Sequence, residues 1–431
     1  MAKLIGNAIV GQSGGPTSVI NASLVGVIEA AAEAHEIKHL YGARHGVKGI
    51  LGERFVDLLT VPRDRLDAIA GTPSSALGSV RKKPTVDECN AMFEVMKRYD
   101  VRYFFYIGGN DSAETAHIVN QMALQSGYEL RCFHVPKTID NDLRVTDHCP
   151  GFGSAARFVA QAFMGDDLDN RSLPGIKINI VMGRHAGFLT AAAALARRHG
   201  GDGPHLIYLP ERPVTREQFR DDVAAVYKRL GRCIVAVSEG MVDAAQPGGH
   251  TTFAEVMKQE VAGLVERVDR GETGIRPEDF DVIRCIGGIE RDSHGNLQLS
   301  GSGMLGDWLA GYLKRELGRD LRVRADTLGY LQRSFPGVVS PVDQAEARQC
   351  GRMAVHFATQ KDQDGTVSMI RTSDDPYTIE YRLSPLAAVA KDTRVMPDAY
   401  IAPSGNDVTQ AFLDYARPLV GELPPTALID G

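Results

Sequence analysis

The sequence predicts an α/β fold with mostly parallel sheets, and three observations carry that prediction. Short apolar runs alternate with helical patterns, the mark of stacked strand–helix units. Three of those runs end in glycine- or acid-rich loops, and sheets of this class bind ligands at the carboxyl ends of their strands. At 431 residues the chain exceeds what one core usually serves, so two domains are expected.

The first strand is expected from Leu4 to Val10. The loop Gly11-Gln-Ser-Gly-Gly-Pro16 follows, then a helix from Thr17 to about Ala34. Paired glycines let a backbone approach an anion closely, and the helix N-terminus behind them offers free N–H groups and a favourable dipole. The loop lacks the GxxxxGK[ST] pattern, which excludes a P-loop. The strand Arg102–Ile107 runs into Gly108-Gly109-Asn110-Asp111-Ser112 and a helix from Ala113 to about Gln125. Asp111 and Ser112 also suit helix capping. The strand Arg131–Val135 leads into Pro136-Lys-Thr-Ile-Asp-Asn-Asp142. Lys137 can neutralise phosphate oxygens, and Thr138 brings a hydroxyl. Of the carboxylates Asp140 and Asp142, one can take a proton from an attacking hydroxyl and the other can help hold a metal ion. Alone such a stretch reads as a polar turn. Three loops of this kind in one chain point to phosphoryl transfer.

The pattern continues with a helix from about Gly153 to Met164, the strand Ile176–Val181 and the helix Ala186–Arg198. The strand His205–Leu209, the helix Thr215–Leu230 and the strand Cys233–Val237 follow. Met182-Gly-Arg184 ends one strand and opens a helix, where an arginine can fork onto phosphate or hydroxyl oxygens. Glu239 ends the next apolar strand, a place for a carboxylate that binds vicinal sugar hydroxyls. Gln246-Pro-Gly-Gly249 and Arg270-Gly-Glu-Thr-Gly274 signal surface loops.

Composition narrows the class. With 43% hydrophobic and 24% charged residues the chain is an ordinary globular one, and a net charge of −6 gives no basic patch for nucleic acid. Six cysteines without CxxC spacing, Cys132, Cys149 and Cys233 among them, read as thiols in a reducing compartment. No signal peptide and no membrane-length apolar run is evident, so the cytoplasm is the expected location. Gly151-Phe-Gly-Ser-Ala-Ala156 approaches GxGxxA, but it follows a turn rather than a strand, which argues against a dinucleotide site. No HExxH occurs, and His134 in its apolar strand is expected to be a hydrogen-bonded core residue.

Seven motifs carry a resemblance. GQSGGPTSVINA (Gly11–Ala22), LGSVR (Leu77–Arg81), GGNDS (Gly108–Ser112), PKTIDND (Pro136–Asp142), MGRHAG (Met182–Gly187), SEG (Ser238–Gly240) and LGYLQR (Leu328–Arg333) stand in the order and approximate spacing of the phosphofructokinase family. The match runs from about residue 4 to beyond residue 350 and resembles the pyrophosphate-dependent branch. It implies two Rossmann-like three-layer α/β domains with mostly parallel sheets. A phosphoryl-donor domain is expected over 1–150 plus a segment after about 333, and a sugar-phosphate domain over 151–332 plus part of the C-terminal region. The implied reaction is reversible transfer from pyrophosphate to the 1-hydroxyl of fructose 6-phosphate, giving fructose 1,6-bisphosphate and phosphate. Mg²⁺ is the implied cofactor, and a homodimer or homotetramer the implied assembly, with neither nucleic acid nor membrane as a partner.

The resemblance also implies roles. Asp140 is the expected base, with Lys137 and Asp111 as further catalytic groups. Gly11, Gly14, Gly15, Arg81, Gly108, Gly109 and Ser112 would bind the donor. Thr138, Asp142, Met182, Gly183, Arg184, Glu239, Arg324, Tyr330 and Arg333 would bind the sugar phosphate. Asn110, Asp111 and Asp142 are the expected metal ligands. Asn110 replaces the family's usual aspartate; its carbonyl oxygen can ligate Mg²⁺ but brings no charge. Tyr330 stands where bacterial ATP-using members carry histidine, keeping a donor without positive charge. A family arginine that crosses from the neighbouring subunit has no clear match; Gly175 falls near it, and Lys177 is the nearest cation. ATP-using relatives usually read GGDGS and PGTIDND. Asp111 and Lys137 replace two of those glycines, one blocking and repelling a nucleotide α-phosphate, the other adding a cation for a compact diphosphate. An ATP-dependent enzyme with an atypical donor loop and a non-catalytic sugar-phosphate-binding subunit are the alternatives. Intact Asp140, Asp142 and Arg184 argue against the latter.

Overall fold

The structure is a computed structural model that describes residues 4–82, 84–272, 303–390 and 392–428. The expected loop at 270–274 lies partly outside the described residues. The chain forms two compact units. The first comprises Met1–Phe158, Arg333–Arg394 and Tyr415–Glu422; the second comprises Val159–Gln332, Val395–Asp414 and Leu423–Gly431. Strands among the described residues are β1 (Gly6–Gln12), β2 (Ile37–Ala43), β3 (Phe55–Asp57), β4 (Val101–Gly108), β5 (Arg131–Pro136), β6 (Ile176–Val181), β7 (Leu206–Tyr208), β8 (Cys233–Ser238), β9 (Val323–Thr327), β10 (Gly365–Asp374) and β11 (Tyr377–Ser384).

The first unit is built on a seven-stranded sheet of order β11-β10-β5-β4-β1-β2-β3. The run from β10 to β2 is parallel, and the edge strands β11 and β3 are antiparallel to their neighbours. Parallel strands need long crossovers, which the helices supply. Both sheet faces are covered, which is why the central strands read as continuous apolar runs. Ala8, Val10, Phe105, Ile107 and Val135 pack with Leu24, Val25 and Ile28 of helix Ile20–Glu33 and with Ala347 and Ala354 of helix Pro341–Gln360. The alternate residues Ile9, Phe104 and Tyr106 pack against Met92 and Met96 of helix Val86–Arg98 and Ala116 and Val119 of helix Asn110–Ser126. The result is a three-layer α/β unit.

The second unit carries a parallel four-stranded sheet of order β7-β8-β6-β9. Ile176, Ile178 and Ile180 of β6 and Val235 and Val237 of β8 pack with helices Arg216–Leu230, Phe253–Asp269 and Met304–Leu317. Thr215 caps the first of these by accepting from Gln218 N. Among the described residues, no helix is long and apolar enough to cross a membrane.

Four helices depart from their expected bounds. The one expected from Thr17 starts at Ile20. The helix expected from Ala113 starts at Asn110, with Gly109 as an N-cap that makes no side-chain bond. Asp111 and Ser112 therefore lie in its first turn instead of capping it. The helix expected to end near Met164 runs to Ser172, because Gly165 is absorbed on an open face. The helix expected over Ala186–Arg198 is α-helical only at Phe188–Ala191 and continues as a 3₁₀ segment at Ala192–Ala196. Its side chains are small apart from Leu195 and are buried, which permits the tighter winding.

Candidate active site

Because β1, β4 and β5 are parallel neighbours, their carboxyl-end loops lie side by side. Gln12 pairs in register with Ile107, and Gly108 with Pro136. The loop after β1 is fixed at its base by Ser13 N donating to Ile107 O at 2.9 Å and Gly14 N donating to Val80 O at 3.0 Å. Gly14 has φ +76, a left-handed conformation that glycine adopts without strain. The ends of cationic side chains press against this loop's two adjacent glycines. A Cβ on Gly14 would stand 3.1 Å from Lys137 Nζ, and one on Gly15 would stand 2.6 Å from Arg333 Nη1 and 3.4 Å from Arg81 Nη2.

Three cations thus converge on one glycine turn. Lys137 is 4% exposed, and its ammonium donates to Gly15 O at 2.7 Å. Burial pushes its pKa down to about 8, with Asp140 opposing the shift and the charges of Arg333 and Arg81 adding to it. A site that strains a lysine's charge in this way favours a multiply charged anion, which relieves it.

The second loop is anchored through its backbone. Gly108 O accepts from Lys137 N at 3.0 Å and is bonded to His134 Nε2 at 2.7 Å. His134 is fully buried and also bonds Thr366 Oγ1 at 2.8 Å; burial holds its pKa at about 4, so the ring is neutral. Beyond Gly109, Asp111 is exposed and Ser112 buried in the first helical turn, where the dipole favours negative charge. In the third loop Asp140 and Asp142 are both partly exposed, and Asp140 N donates to Thr138 Oγ1 at 3.1 Å.

In the second unit, Arg184 and Glu239 meet at the carboxyl ends of β6 and β8, with Arg184 Nε 3.5 Å from Glu239 Oε1. Ser238 Oγ donates to Gly183 O at 2.7 Å and accepts from Gly240 N at 3.0 Å, locking the two turns together. Both side chains line a cavity of about 560 Å³, with His185, His250, Thr252 and Lys258 also on its wall. Its mix of cations, two carboxylates (Glu239 and Glu255) and hydroxyls suits a polyhydroxylated ligand that carries an anionic group.

These two sites can be set beside known proteins. The phosphofructokinase profile matches residues 7–358. The chain belongs to the phosphofructokinase family. A protein of Rhodospirillum rubrum named pyrophosphate–fructose 6-phosphate 1-phosphotransferase is 50% identical over 98% of this chain and 96% of its own length. One of the same name from Xanthomonas campestris pv. campestris is 37% identical over 99% and 94%. The crystal structure of a pyrophosphate-dependent phosphofructokinase from Marinobacter aquaeolei superposes with a TM-score of 0.78 at 32% identity, covering 98% of this chain and 94% of that one. The phosphofructokinase fold is thereby shared.

Within this phosphofructokinase the expected residues fall into three placements. Gly11, Gly14, Gly15, Arg81, Gly108, Gly109, Asn110, Asp111, Ser112, Lys137, Thr138, Asp140 and Asp142 all belong to the first unit. Arg333, expected among the sugar-phosphate residues, also stands there, beside Gly15. Met182, Gly183, Arg184 and Glu239 gather in the second unit. Arg324 and Tyr330, also in the second unit, are exposed and lie outside the cavity lining. Gly175 has no room for a side chain, since a Cβ would meet Arg322 O at 2.6 Å, and Lys177 is engaged by Asp166 and Asp326.

Gln12 was not foreseen as a site residue. Buried, it accepts from Ser75 Oγ at 2.7 Å and Leu77 N at 3.0 Å while donating to Asn21 Oδ1 at 3.1 Å, so it ties the segment leading to Arg81 to the first loop. Its glycine-rich neighbours drew attention, but a single buried amide leaves no periodic signal. For the metal, Asn110 Oδ1 is a buried oxygen without a protein partner, which fits a hard cation. Among the described residues no three His, Cys, Asp or Glu side chains form a ready-made cage. Mg²⁺ commonly takes one or two protein ligands and completes its shell with water and phosphate oxygens.

Proposed function

We propose that the chain transfers a phosphoryl group from pyrophosphate to the 1-hydroxyl of fructose 6-phosphate, yielding fructose 1,6-bisphosphate and phosphate. The convergence of buried Lys137, half-buried Arg333 and exposed Arg81 on the Gly14–Gly15 turn carries this reading. A compact diphosphate brings enough charge to compensate three cations, and the names of the relatives at 50% and 37% identity support the same donor. Asp111 in the first turn behind Gly109 disfavours a third phosphate there.

Asp140 accepts the proton of the 1-hydroxyl as that oxygen attacks the near phosphorus in line; the bridging P–O bond breaks and phosphate leaves with its electrons. Lys137, Arg81 and Arg333 stabilise the charge that develops on the leaving and transferring oxygens. Arg184 and Glu239 orient the sugar, and Arg324 and Tyr330 take its 6-phosphate, as the family resemblance implies. Asn110, Asp111 and Asp142 would hold Mg²⁺, which when bound neutralises diphosphate charge. The resemblance also supports a cytoplasmic homodimer or homotetramer.

Purified protein incubated with fructose 6-phosphate, pyrophosphate and Mg²⁺ should release phosphate and form fructose 1,6-bisphosphate in equal amounts. The reverse mixture should form pyrophosphate. Failure in both directions with folded protein contradicts the proposal.

A further inference from the structure

The loop that carries Asp140 and Asp142 is held by a part of the chain outside the matched family region, which ends at residue 358. Asn141 sits between the two carboxylates, fully buried, with φ +59. A left-handed residue reverses the local chain direction, so it sets where the side chains on either side point. Asparagine tolerates this conformation better than most residues but needs its polar groups satisfied when buried. Asn141 Oδ1 accepts from Cys149 N at 3.0 Å, and its other groups are tied down from the C-terminal segment. The Asn141 carbonyl accepts from Arg394 Nε at 2.8 Å, and its Nδ2 donates to the Tyr415 hydroxyl at 2.8 Å. The same tyrosine hydroxyl donates to Asp147 O at 2.9 Å.

The second carboxylate residue is held in the same way. Asp142 O accepts from Arg394 N at 2.8 Å, and Arg394 Nη1 donates to Thr146 O at 2.7 Å. One arginine thus grips the loop through backbone carbonyls, at residues 141 and 146 by its planar guanidinium and at residue 142 by its backbone N–H.

We infer that the segment following residue 358 is a positioning element for the reaction, acting through Arg394 and Tyr415 on Asn141 to fix the directions of the Asp140 and Asp142 carboxylates. The inference rests on the proposed role of Asp140. A base displaced by about 1 Å loses on the order of 10²-fold in rate, so a brace at this point governs turnover more than substrate affinity.

Two variants of the full chain test it. Tyr415→Phe removes one hydroxyl and leaves the ring, and Asn141→Gly keeps the left-handed backbone while deleting the side-chain bonds. In both, kcat with pyrophosphate should fall about tenfold or more while the KM for fructose 6-phosphate stays within about twofold, since Arg184 and Glu239 are untouched. Hydrogen–deuterium exchange should rise in residues 138–147 and stay unchanged in residues 4–16. Wild-type kcat in both folded variants, or wild-type exchange in the loop, overturns the inference. If Tyr415→Phe does not fold, Asn141→Gly decides. The exchange readout does not depend on activity. A wild type inert with pyrophosphate but showing Tyr415-dependent loop protection would refute the proposed reaction and leave the brace standing.

Discussion

Asp140 and Asp142 are two residues apart yet are assigned different work, one moving a proton and the other helping to hold a metal ion. Asp140→Asn keeps the shape and removes the proton acceptor. Turnover should fall by about 10² to 10⁴, with fructose 6-phosphate affinity changed far less, in steady-state kinetics alongside equilibrium binding. Lys137 gives a pH signature. Burial holds its pKa near 8, so the free enzyme loses this cation as pH rises through that value. The kcat/KM for pyrophosphate should therefore decline above about pH 8, and a profile flat to pH 9.5 would remove Lys137 from donor binding. Arg333 stands with the same turn. Arg333→Ala deletes a charge-assisted bond of about 1.5–3 kcal/mol, and kcat/KM should fall more than about tenfold when pyrophosphate is varied. A defect confined to fructose 6-phosphate would return the residue to the sugar side. Of these four, the aspartates and the lysine were legible in PKTIDND because strand, loop and charge are contiguous there. Arg333's placement was not, because its neighbour Gly15 lies more than 300 positions away in sequence.

At the scale of elements, the three glycine- and acid-rich loops were readable because each follows a run of buried residues whose pattern changes abruptly. What braces those loops was not. The stretch after β5 is supported by a buried cluster in which His148 bonds Asp147 Oδ2 at 2.8 Å and Glu346 Oε2 at 2.7 Å, while Tyr377 donates to Glu346 at 2.6 Å. Burial disfavours the charged ring, but its hydrogen bonds to Asp147 and Glu346 outweigh that and push its pKa up to about 9. The sign follows from linkage. A folded-state pKa above the unfolded one means the folded chain holds more protons, so this stability is complete below about pH 6.5 and is lost as pH rises towards 9. The unfolding midpoint should fall across that window, and His148→Gln should be destabilised at pH 6 with a flatter dependence. An unchanged slope in the variant would assign the dependence to other groups. In sequence His148 stands 198 positions from Glu346 and 229 from Tyr377, and only the fold gathers them.

For the whole molecule, the α/β class followed from alternating periodicity, and family membership from seven motifs in order. The chain passes from the first unit to the second inside helix Phe152–Ser172 and back to the first inside helix Gln410–Val420, where helical periodicity runs on without a break. Donor choice is the claim that joins every scale. Residues 111 and 137 carry side chains where ATP-using relatives have glycine, and the surrounding turn concentrates positive charge. The most direct test is kcat/KM for pyrophosphate and for ATP, at equal free Mg²⁺, in wild type, Asp111→Gly, Lys137→Gly and the double variant. Wild type should use pyrophosphate with little ATP activity. Asp111→Gly should make ATP a detectable donor, Lys137→Gly should depress pyrophosphate use, and the double variant should shift the ratio furthest. A wild type that prefers ATP, or an unchanged ratio in Asp111→Gly, would contradict the account.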